Sequence, residues 1–426
     1  MRKKHKILAM MLSGAIMLCG CGNNGNLSQT VPEQSIYKHK GLDEESADQT
    51  LSIYYGTIHN APMMDAIADD YETATGIRII WTAADNGAAT LKGLFSIGKA
   101  PDLFQLERFE IPEWERYLTD LTQETWVADV YDDALKAATI GGKLCAWPHT
   151  LEASGIVYNK DLFEYAGITN LPETLEELKE VCETLESKGV QSFGESWMEF
   201  GYLAHTLASP FNYEGNTELI SNQVLNGEKT FEDLKYIDEF FRLFDLTLKY
   251  GLGADSVAYN TMDQYPDFAE GKMAMMKQGT WVERSLKQLN KDMNIGIIPV
   301  PLSDNAEENK LSIATTTFLC VNKESQNKQK ALDFLEWWHT YAQRYLVNID
   351  GVVPPFYSVD TSTLGMLNRE MELYIVEEKT FDGFGYEYWP ADFQIDLTQP
   401  LQTYAVGMAT KAETLQELLR IYTKKL

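Results

Sequence analysis

The sequence predicts an α/β fold with two domains, on three observations. From Leu51 onward, short β-rich runs alternate with longer amphipathic runs, which is the pattern of α/β proteins. The chain beyond its N-terminal region, about 380 residues, is long enough to form two hydrophobic cores. The thiols of that region, Cys145, Cys182 and Cys320, are widely spaced and give neither a disulfide framework nor a metal-ligand spacing. Hydrophobic packing must therefore hold the fold.

The first elements alternate regularly. A strand is expected at 51–55, followed by a helix at 62–75 that ends before Gly76, because glycine favours helix ends. The next expected elements are a strand at 77–81, a helix at 90–97 and a strand at 101–106 that ends at Glu107.

The later part of the chain continues this alternation. A strand is expected at 155–158 and a helix at 172–187, with Pro172 in its first turn and Gly189 beyond its end. Strands at 295–299 and 312–321 precede a long helix at 326–346. The aromatic side chains of this helix are expected to pack into the core. They are Phe334, Trp337, Trp338, Tyr341 and Tyr345.

The N-terminus is typical of an export signal. Four basic residues within the first six are followed by an apolar run at 7–18 and by Leu18-Cys19-Gly20-Cys21, which resembles the bacterial lipobox. The apolar run is well short of the roughly 20 residues that span a bilayer. We expect residues 1–20 to be a lipoprotein signal peptide and Cys21 to be lipidated; a simple secretory signal is the alternative. The polar segment 21–48 is expected to be a disordered tether.

The charge excludes several classes of partner. The formal net charge is −27 at pH 7. Cleavage of the signal would remove four basic residues and no acidic ones, so the mature chain would be more negative still. Such a chain repels nucleic acid and anionic lipid, which leaves small molecules or neutral polymers as partners.

No catalytic motif is recognisable in the sequence. Metalloprotease, phosphate-loop, nucleophile-elbow and dinucleotide motifs are absent, and the histidines His59, His149, His205 and His339 have no metal-ligand spacing. We therefore expect no metal, no cofactor and no enzymatic activity. The chain is instead rich in aromatic residues, with nine Trp and 22 Tyr, whose rings can stack on sugars while polar side chains bond the hydroxyls.

An ordered series of motifs resembles the extracellular solute-binding proteins of bacterial carbohydrate ABC importers, the maltose-binding-like family. The most specific is Tyr158-Asn159-Lys160-Asp161-Leu162-Phe163 with the following Pro172-Glu173-Thr174-Leu175. The other matching segments, in family order, are 98–104, 142–148, 268–281, 328–338 and 351–354. The series covers about residues 50 to 355, and the last 70 residues match only in being helical.

The resemblance implies a two-lobed periplasmic-binding-protein fold with discontinuous lobes, a hinge and a ligand cleft between them. Lobe one would be 51–151 plus 311–352, and lobe two 155–305 plus 353–426. The implied protein is a monomer that captures a sugar, expected to be an oligosaccharide, and delivers it to the ABC permease in the membrane. Its place would be the outer face of a Gram-positive membrane, with the periplasm of a diderm second.

Ligand-binding candidates follow from the same resemblance and from position. Glu152 and Trp281 fall where relatives place a sugar-bonding carboxylate and a stacking aromatic ring. Glu107, Arg108 and Tyr55 follow strand ends, where ligands of α/β proteins sit. Two loop tryptophans complete the set, Trp197 and Trp389. His149 is expected to be a hydrogen-bonded hinge residue, not a ligand contact.

Two alternatives remain open at this point. A non-sugar solute such as a polyamine would also suit an acidic, aromatic site. An anchored glycoside-processing enzyme is an alternative of a different class, although in a chain with 63 acidic residues a carboxylate pair at any spacing is weak evidence for it.

Overall fold

The computed structural model describes residues 36–38, 49–56, 60–84 and 87–424. The expected signal peptide 1–20, the lipidation site Cys21 and most of the expected tether lie outside these residues.

The strands and helices alternate along the described chain. The strands are β1 (Ile36–Lys38), β2 (Thr50–Tyr54), β3 (Arg78–Ala84), β4 (Leu103–Glu107), β5 (Thr139–Ile140), β6 (Lys143–Leu144), β7 (Trp147–Asn159), β8 (Gln191–Phe193), β9 (Met273–Gly279), β10 (Ile295–Ile298), β11 (Leu311–Val321) and β12 (Thr380–Asp382). The helices are α1 (Ala61–Thr75), α2 (Gly87–Ser96), α3 (Ile111–Trp114), α4 (Asp132–Ala137), α5 (Lys160–Ala166), α6 (Leu175–Ser187), α7 (Phe200–Asn212), α8 (Thr217–Leu225), α9 (Ile237–Lys249), α10 (Thr261–Ala269), α11 (Glu283–Leu289), α12 (Lys328–Thr340), α13 (Met366–Val376), α14 (Ala391–Ala405) and α15 (Lys411–Lys424).

The main sheet is mixed. Its order is β1-β3-β2-β4-β11-β7-β9-β8, with β10 paired to β7 and β12 paired to β11. Strand β2 is parallel to β3 and β4, whereas β11 is antiparallel to both β4 and β7. The expected α/β class is confirmed.

Local sequence explains where two of the helices end or begin. Helix α1 ends as expected, because Gly76 adopts the left-handed conformation (φ 74°) that glycine tolerates best. The expected start of α6 at Pro172 is wrong. The helix begins at Leu175, because Thr174 and Glu177 form a reciprocal capping box there.

Strand β7 is much longer than the expected strand at 155–158. It extends from Trp147 to Asn159 and is buried along most of its length. It pairs with β11 on one side and with β9 and β10 further along. Because both faces are covered, its sequence lacks the apolar–polar alternation by which a half-exposed strand is recognised.

The expected helix at 326–346 is divided. Helix α12 ends at Thr340, and a wider π-type helix follows at Gln343–Asp350. Phe334, Trp338 and Tyr345 are buried as expected, and Trp337 is partly buried. The expectation is wrong for Tyr341, which is 46 % exposed because it stands where the two helices meet.

The segment expected to be an unstructured tether contains β1. Its residues Ile36–Lys38 pair antiparallel with β3, Ile36 opposite Ala84. The expectation is therefore wrong for these three residues, because the free edge of β3 offers backbone groups to pair with.

Buried hydrophobic residues form separate clusters. One contains residues between Leu51 and Trp147 and between Phe318 and Phe356. Three others are built from residues 153–314 and 347–422. We propose the two lobes on this basis, with the change of lobe inside β7 and β11. These two strands join both regions into one compact unit, Ile36–Leu426.

Candidate functional site

The ends of two parallel strands bring Tyr55 and Glu107 to one edge of the sheet. Tyr54 pairs with Phe104, so β2 and β4 finish side by side. Tyr55 is 2 % exposed, and its hydroxyl lies 2.8 Å from Nε2 of His149. Burial lowers the pKa of His149 to about 3, so this ring is neutral and serves as a hydrogen-bond partner, in the position expected for it.

Glu152 lies where β7 and β11 cross between the proposed lobes. It is opposite Ala314, next to a register irregularity in β11. The hydroxyl of Thr316 donates to Oε2 of Glu152 at 2.7 Å. The pKa of Glu152 is raised to about 7, mainly by burial and to a smaller extent by the charge of Asp350, although the hydrogen bond from Thr316 lowers it.

Glu107 belongs to the same group of acids. Burial is the main cause that raises the pKa of Glu107 well above the usual range, and the charges of Glu110, Glu152 and Glu387 raise it as well. The pKa of Tyr55 is raised by burial and then by Asp350, Glu107 and Glu152. The structure thus brings three predicted residues, Tyr55, Glu107 and Glu152, within electrostatic reach of one another.

Trp281 forms an aromatic wall together with residues distant in sequence. Its ring lies 5.3 Å from His205 and 6.2 Å from Phe384, and Tyr386 lies 4.4 Å from His205. The indole N–H donates to Oε1 of Gln278 at 2.8 Å, which fixes the ring. Burial is the main cause of the raised pKa of Tyr386, and the negative charges of Glu387, Glu107 and Glu152 also raise it. The aromatic wall and the acids therefore share one region.

Gly279 allows this ring to approach the backbone. A Cβ placed there would lie 2.1 Å from the Trp281 ring and 2.2 Å from the carbonyl oxygen of Ala153. Only glycine fits between the end of β9 and β7 without displacing the ring.

Two ion pairs connect the proposed lobes around this region. Arg108 donates from Nη1 to Oε2 of Glu387 at 2.9 Å and from Nη2 to the hydroxyl of Tyr388 at 2.8 Å. Arg284 donates to Oδ1 of Asp350 at 2.5 Å. The predicted ligand contact Arg108 is thus already bonded to protein groups, and we propose that it ties the two lobes together.

The arrangement offers hydrogen-bond acceptors opposite aromatic faces. Half-buried carboxylates at Glu107 and Glu152 can accept from hydroxyl groups, and the partly exposed ring of Trp281 can stack on an apolar face. Among the residues that the structure describes, no group of three His, Cys, Asp or Glu side chains could hold a metal ion.

Comparison with known proteins identifies the family. The sequence profile of the bacterial extracellular solute-binding proteins matches residues 66–365. This chain belongs to that family. The melibiose/raffinose/stachyose-binding protein MelE of Bacillus subtilis is 23 % identical over 346 residues, covering 78 % of this chain and 76 % of that protein. A multiple sugar-binding protein of Streptococcus mutans is also 23 % identical, covering 82 % and 81 % of the two chains.

Solved structures agree in fold. The solute-binding protein RafE in complex with raffinose has a TM-score of 0.76 at 20 % identity and covers 88 % of this chain and 99 % of that one. A sugar transporter of Bacillus licheniformis in complex with stachyose has a TM-score of 0.71 at 21 % identity and covers 88 % and 100 %. The expected solute-binding-protein fold is confirmed.

Two predicted ligand contacts of this solute-binding protein lie in the core instead. Trp197 and Trp389 are each 1 % exposed. Trp197 stacks on Phe244 with ring centroids 4.3 Å apart and planes 6° apart, and Trp389 packs against Phe211 at 5.2 Å. Because the core covers both indoles, we do not retain them in the proposed site. The predicted contact Tyr55 is also covered, at 2 % exposed, and its hydroxyl is bonded to His149, so we place it behind the site and not in contact with ligand.

Three residues of the aromatic wall escaped the sequence analysis. His205 lies inside α7, and Phe384 and Tyr386 follow β12. The predicted contact Trp389 stands three residues after Tyr386, and it is Tyr386 that lies near the acids. No local signal marks His205, since its position depends on packing between distant segments.

The raised pKa of Glu152 predicts a pH-dependent stability. The folded protein keeps a proton on this carboxyl up to about pH 7, whereas its usual pKa is 4.5. Ionisation of Glu152 is therefore less favourable in the folded than in the unfolded protein. The contribution of Glu152 to the free energy of unfolding falls as the pH rises from 4.5 to about 7.

Glu152→Gln is expected to remove this pH-dependent loss of stability. In urea unfolding, the free energy of unfolding should fall less steeply over that pH range in the variant than in the unaltered protein. Substitution of the exposed Glu164 by Gln is the control. Parallel pH profiles for Glu152→Gln and the unaltered protein would contradict the raised pKa.

Proposed function

We propose that this protein captures an oligosaccharide in the cluster of Glu107, Glu152 and Trp281 and delivers it to an ABC permease. The observation that carries the proposal is the pairing of the half-buried carboxyl groups of Glu107 and Glu152 with an aromatic wall that includes Trp281. Sugars present hydroxyls and apolar ring faces together, and this pairing matches both. Melibiose, raffinose, stachyose, maltotriose and diacetylchitobiose occur in the names of relatives, which supports an oligosaccharide as the class of ligand.

Closure of the two lobes would couple binding to delivery. Arg108 with Glu387 and Arg284 with Asp350 are contacts between the proposed lobes, so a movement that separated the lobes there would break them. A ligand that touches both sides binds the closed state more tightly and shifts the population toward it. The permease then receives the closed, loaded form.

A lipid on Cys21 would keep the protein at the outer face of the membrane, beside the permease. No helix within the described residues is long and apolar enough to cross a membrane. Mass spectrometry of the protein exported by its native host tests the anchor. A mature N-terminus at Cys21 carrying acyl chains is expected, and any other N-terminus would refute this part of the proposal.

The binding function is tested with the full-length protein and a panel of the five sugars named above, with spermidine added for the polyamine alternative. Tryptophan fluorescence reports binding, and chromatography of the incubated sugars reports cleavage. A saturable change in fluorescence on addition of a sugar, with no cleavage product of that sugar, would support the proposal. Response to spermidine alone, or cleavage of a sugar, would replace it with one of the two alternatives.

Trp281→Ala is expected to weaken sugar binding by about 1–3 kcal/mol, the usual cost of losing one stacking ring. Trp281→Phe keeps a ring but loses the N–H bond to Gln278, so its affinity should fall between the two. Isothermal titration of the three proteins with the same sugar gives the comparison. An affinity of the alanine variant equal to that of the unaltered protein would exclude Trp281 from the site.

A further inference from the structure

A chain of hydrogen bonds leads from Trp281 into the interior of the proposed lobe two. The indole N–H of Trp281 donates to Oε1 of Gln278 at 2.8 Å. Nε2 of Gln278 donates in turn to Oε1 of Gln264 at 2.8 Å, and Nε2 of Gln264 donates to the backbone carbonyl of Gly194 at 2.6 Å. Gln278 belongs to β9 and Gln264 to α10, and they are 1 % and 0 % exposed. The two amides therefore lie behind the partly exposed ring, shielded from solvent.

The two ends of this chain fix the direction of every bond in it. An indole N–H can only donate, and a backbone carbonyl can only accept. Gln278 must therefore present its oxygen to Trp281, and Gln264 must present its NH₂ group to Gly194. The hydroxyl of Ser196 also donates to Oε1 of Gln264, at 3.2 Å, which uses the second lone pair of that oxygen. Reversal of either amide would set like groups against each other in buried surroundings, where unpaired polar groups are costly.

The far end of the chain is held by strand β9 itself. The backbone N–H of Gly194 donates to the carbonyl oxygen of Met275 at 3.2 Å, and Phe193 of β8 pairs with the same residue of β9. The hydrogen bonds thus leave β9 at Gln278, pass through α10 and return to β9. Because both ends belong to one strand, the amide of Gln264 has a fixed position relative to Trp281.

This arrangement restricts the Trp281 ring. Rotation of the ring would break its bond to the buried oxygen of Gln278, so the hydrogen-bond chain favours one orientation even without a ligand. A side chain that is already ordered loses little conformational freedom on binding. The chain of amides therefore contributes to affinity from a position that no ligand touches.

We propose that Gln264 is a positioning residue of the sugar site: acting through Gln278, it holds Trp281 in the orientation that stacks on a sugar ring. The inference rests on the proposed function and deepens it, because it assigns part of the sugar affinity to a residue in the interior of the proposed lobe two.

A double-mutant cycle tests this role. Gln264→Leu removes both hydrogen-bonding groups of the amide, and Trp281→Phe removes the indole N–H at the other end of the chain. Isothermal titration of the full-length proteins uses whichever sugar of the five-sugar panel the unaltered protein binds most tightly. Gln264→Leu should weaken binding by about five-fold in the presence of Trp281. In the Trp281→Phe background the same change should cost less than about two-fold, because no indole N–H remains to be positioned.

Gln402→Leu is the matched control. Nε2 of Gln402 donates to the backbone carbonyl of Trp197 at 2.7 Å, so this substitution frees a carbonyl in the same loop as Gly194 but leaves the chain to Trp281 intact. It should change sugar affinity by less than about two-fold in either background. If Gln264→Leu does not fold, Gln264→Asn takes its place in the cycle, since its amide is one methylene too short to reach both partners.

The outcomes separate positioning from a general structural role. Equal losses with Trp281 and with Phe at that position, or an equal loss in Gln402→Leu, would show that the loop and not the ring is affected, and would overturn the inference. An unchanged affinity with Trp281 present would overturn it as well. These results would leave sugar capture intact, whereas failure of the unaltered protein to bind any of the five sugars would overturn the proposed function and this inference together.

Discussion

Arg108→Ala is expected to lower the free energy of unfolding by about 3–5 kcal/mol, the usual cost of removing one partner from a buried ion pair. The side chains of Arg108 and Glu387 are 11 % and 2 % exposed. Oε2 of Glu387 accepts from Arg108 and from the backbone N–H of Phe384, both at 2.9 Å. Without the guanidinium, the carboxylate would stay buried with no opposing charge.

The loss of stability in Arg108→Ala should depend on pH. Burial raises the pKa of Glu387 to about 7 even though Arg108 lowers it, and removal of Arg108 would raise it further. At pH 8 the unaltered protein holds an ionised, paired carboxylate, and the variant must either protonate it or bury its charge. At pH 5 this group is protonated in both proteins, so urea unfolding should show a smaller difference there than at pH 8.

An exposed ion pair of similar geometry provides the control. Arg344 donates to Asp70 at 2.8 Å, but the two side chains are 58 % and 40 % exposed. Arg344→Ala should change stability little, because exposed pairs gain little over hydration. If the two substitutions had the same effect, burial could not be the cause of the loss at Arg108.

The double variant Arg108→Met, Glu387→Leu separates burial from charge. Replacing both partners by apolar groups removes the uncompensated charge, so the double variant should be more stable than Arg108→Ala. A double variant as unstable as Arg108→Ala would indicate that shape, and not charge, dominates at this contact.

Most regular elements could be predicted because they follow local rules. Helix α1 ends at the glycine that the sequence offers, and β2, β3, β4 and β10 lie within a few residues of their expected places. Strand β7 and the division after α12 could not be predicted, because each depends on neighbours far away in the chain. Both faces of β7 are covered, so its sequence shows no alternation of apolar and polar residues, and no glycine or proline marks the end of α12 at Thr340.

Strand ends pointed to two residues of the candidate site, Tyr55 and Glu107, whereas Glu152 was expected from the family resemblance and lies inside β7. The structure places all three within electrostatic reach of one another. Trp197 and Trp389 illustrate the opposite case, because a tryptophan beside polar residues in sequence can still be buried on every side in space. His205 could not be found at all, since nothing in α7 alone reveals that Trp281 lies against it.

Trp338→Ala is expected to be the most destabilising change in the first core. The ring is 0 % exposed, and its centroid lies 5.1 Å from Trp147, 5.6 Å from His149 and 6.1 Å from Tyr55. Alanine would remove the buried area and leave a cavity among these rings, at a cost of about 3–5 kcal/mol. Tyr165→Ala, at a position 66 % exposed, should stay within about 0.5 kcal/mol of the unaltered protein; urea unfolding compares the three.

The same substitution tests how the core supports the site. Trp338 packs on Tyr55 and on the histidine that bonds the Tyr55 hydroxyl, so its loss should loosen one wall of the cleft as well as the core. Sugar affinity measured under conditions where the variant is fully folded should therefore fall, though less than in Trp281→Ala. Lower stability with unchanged affinity would instead show that Tyr55 is held by its own backbone and by β2, independently of Trp338.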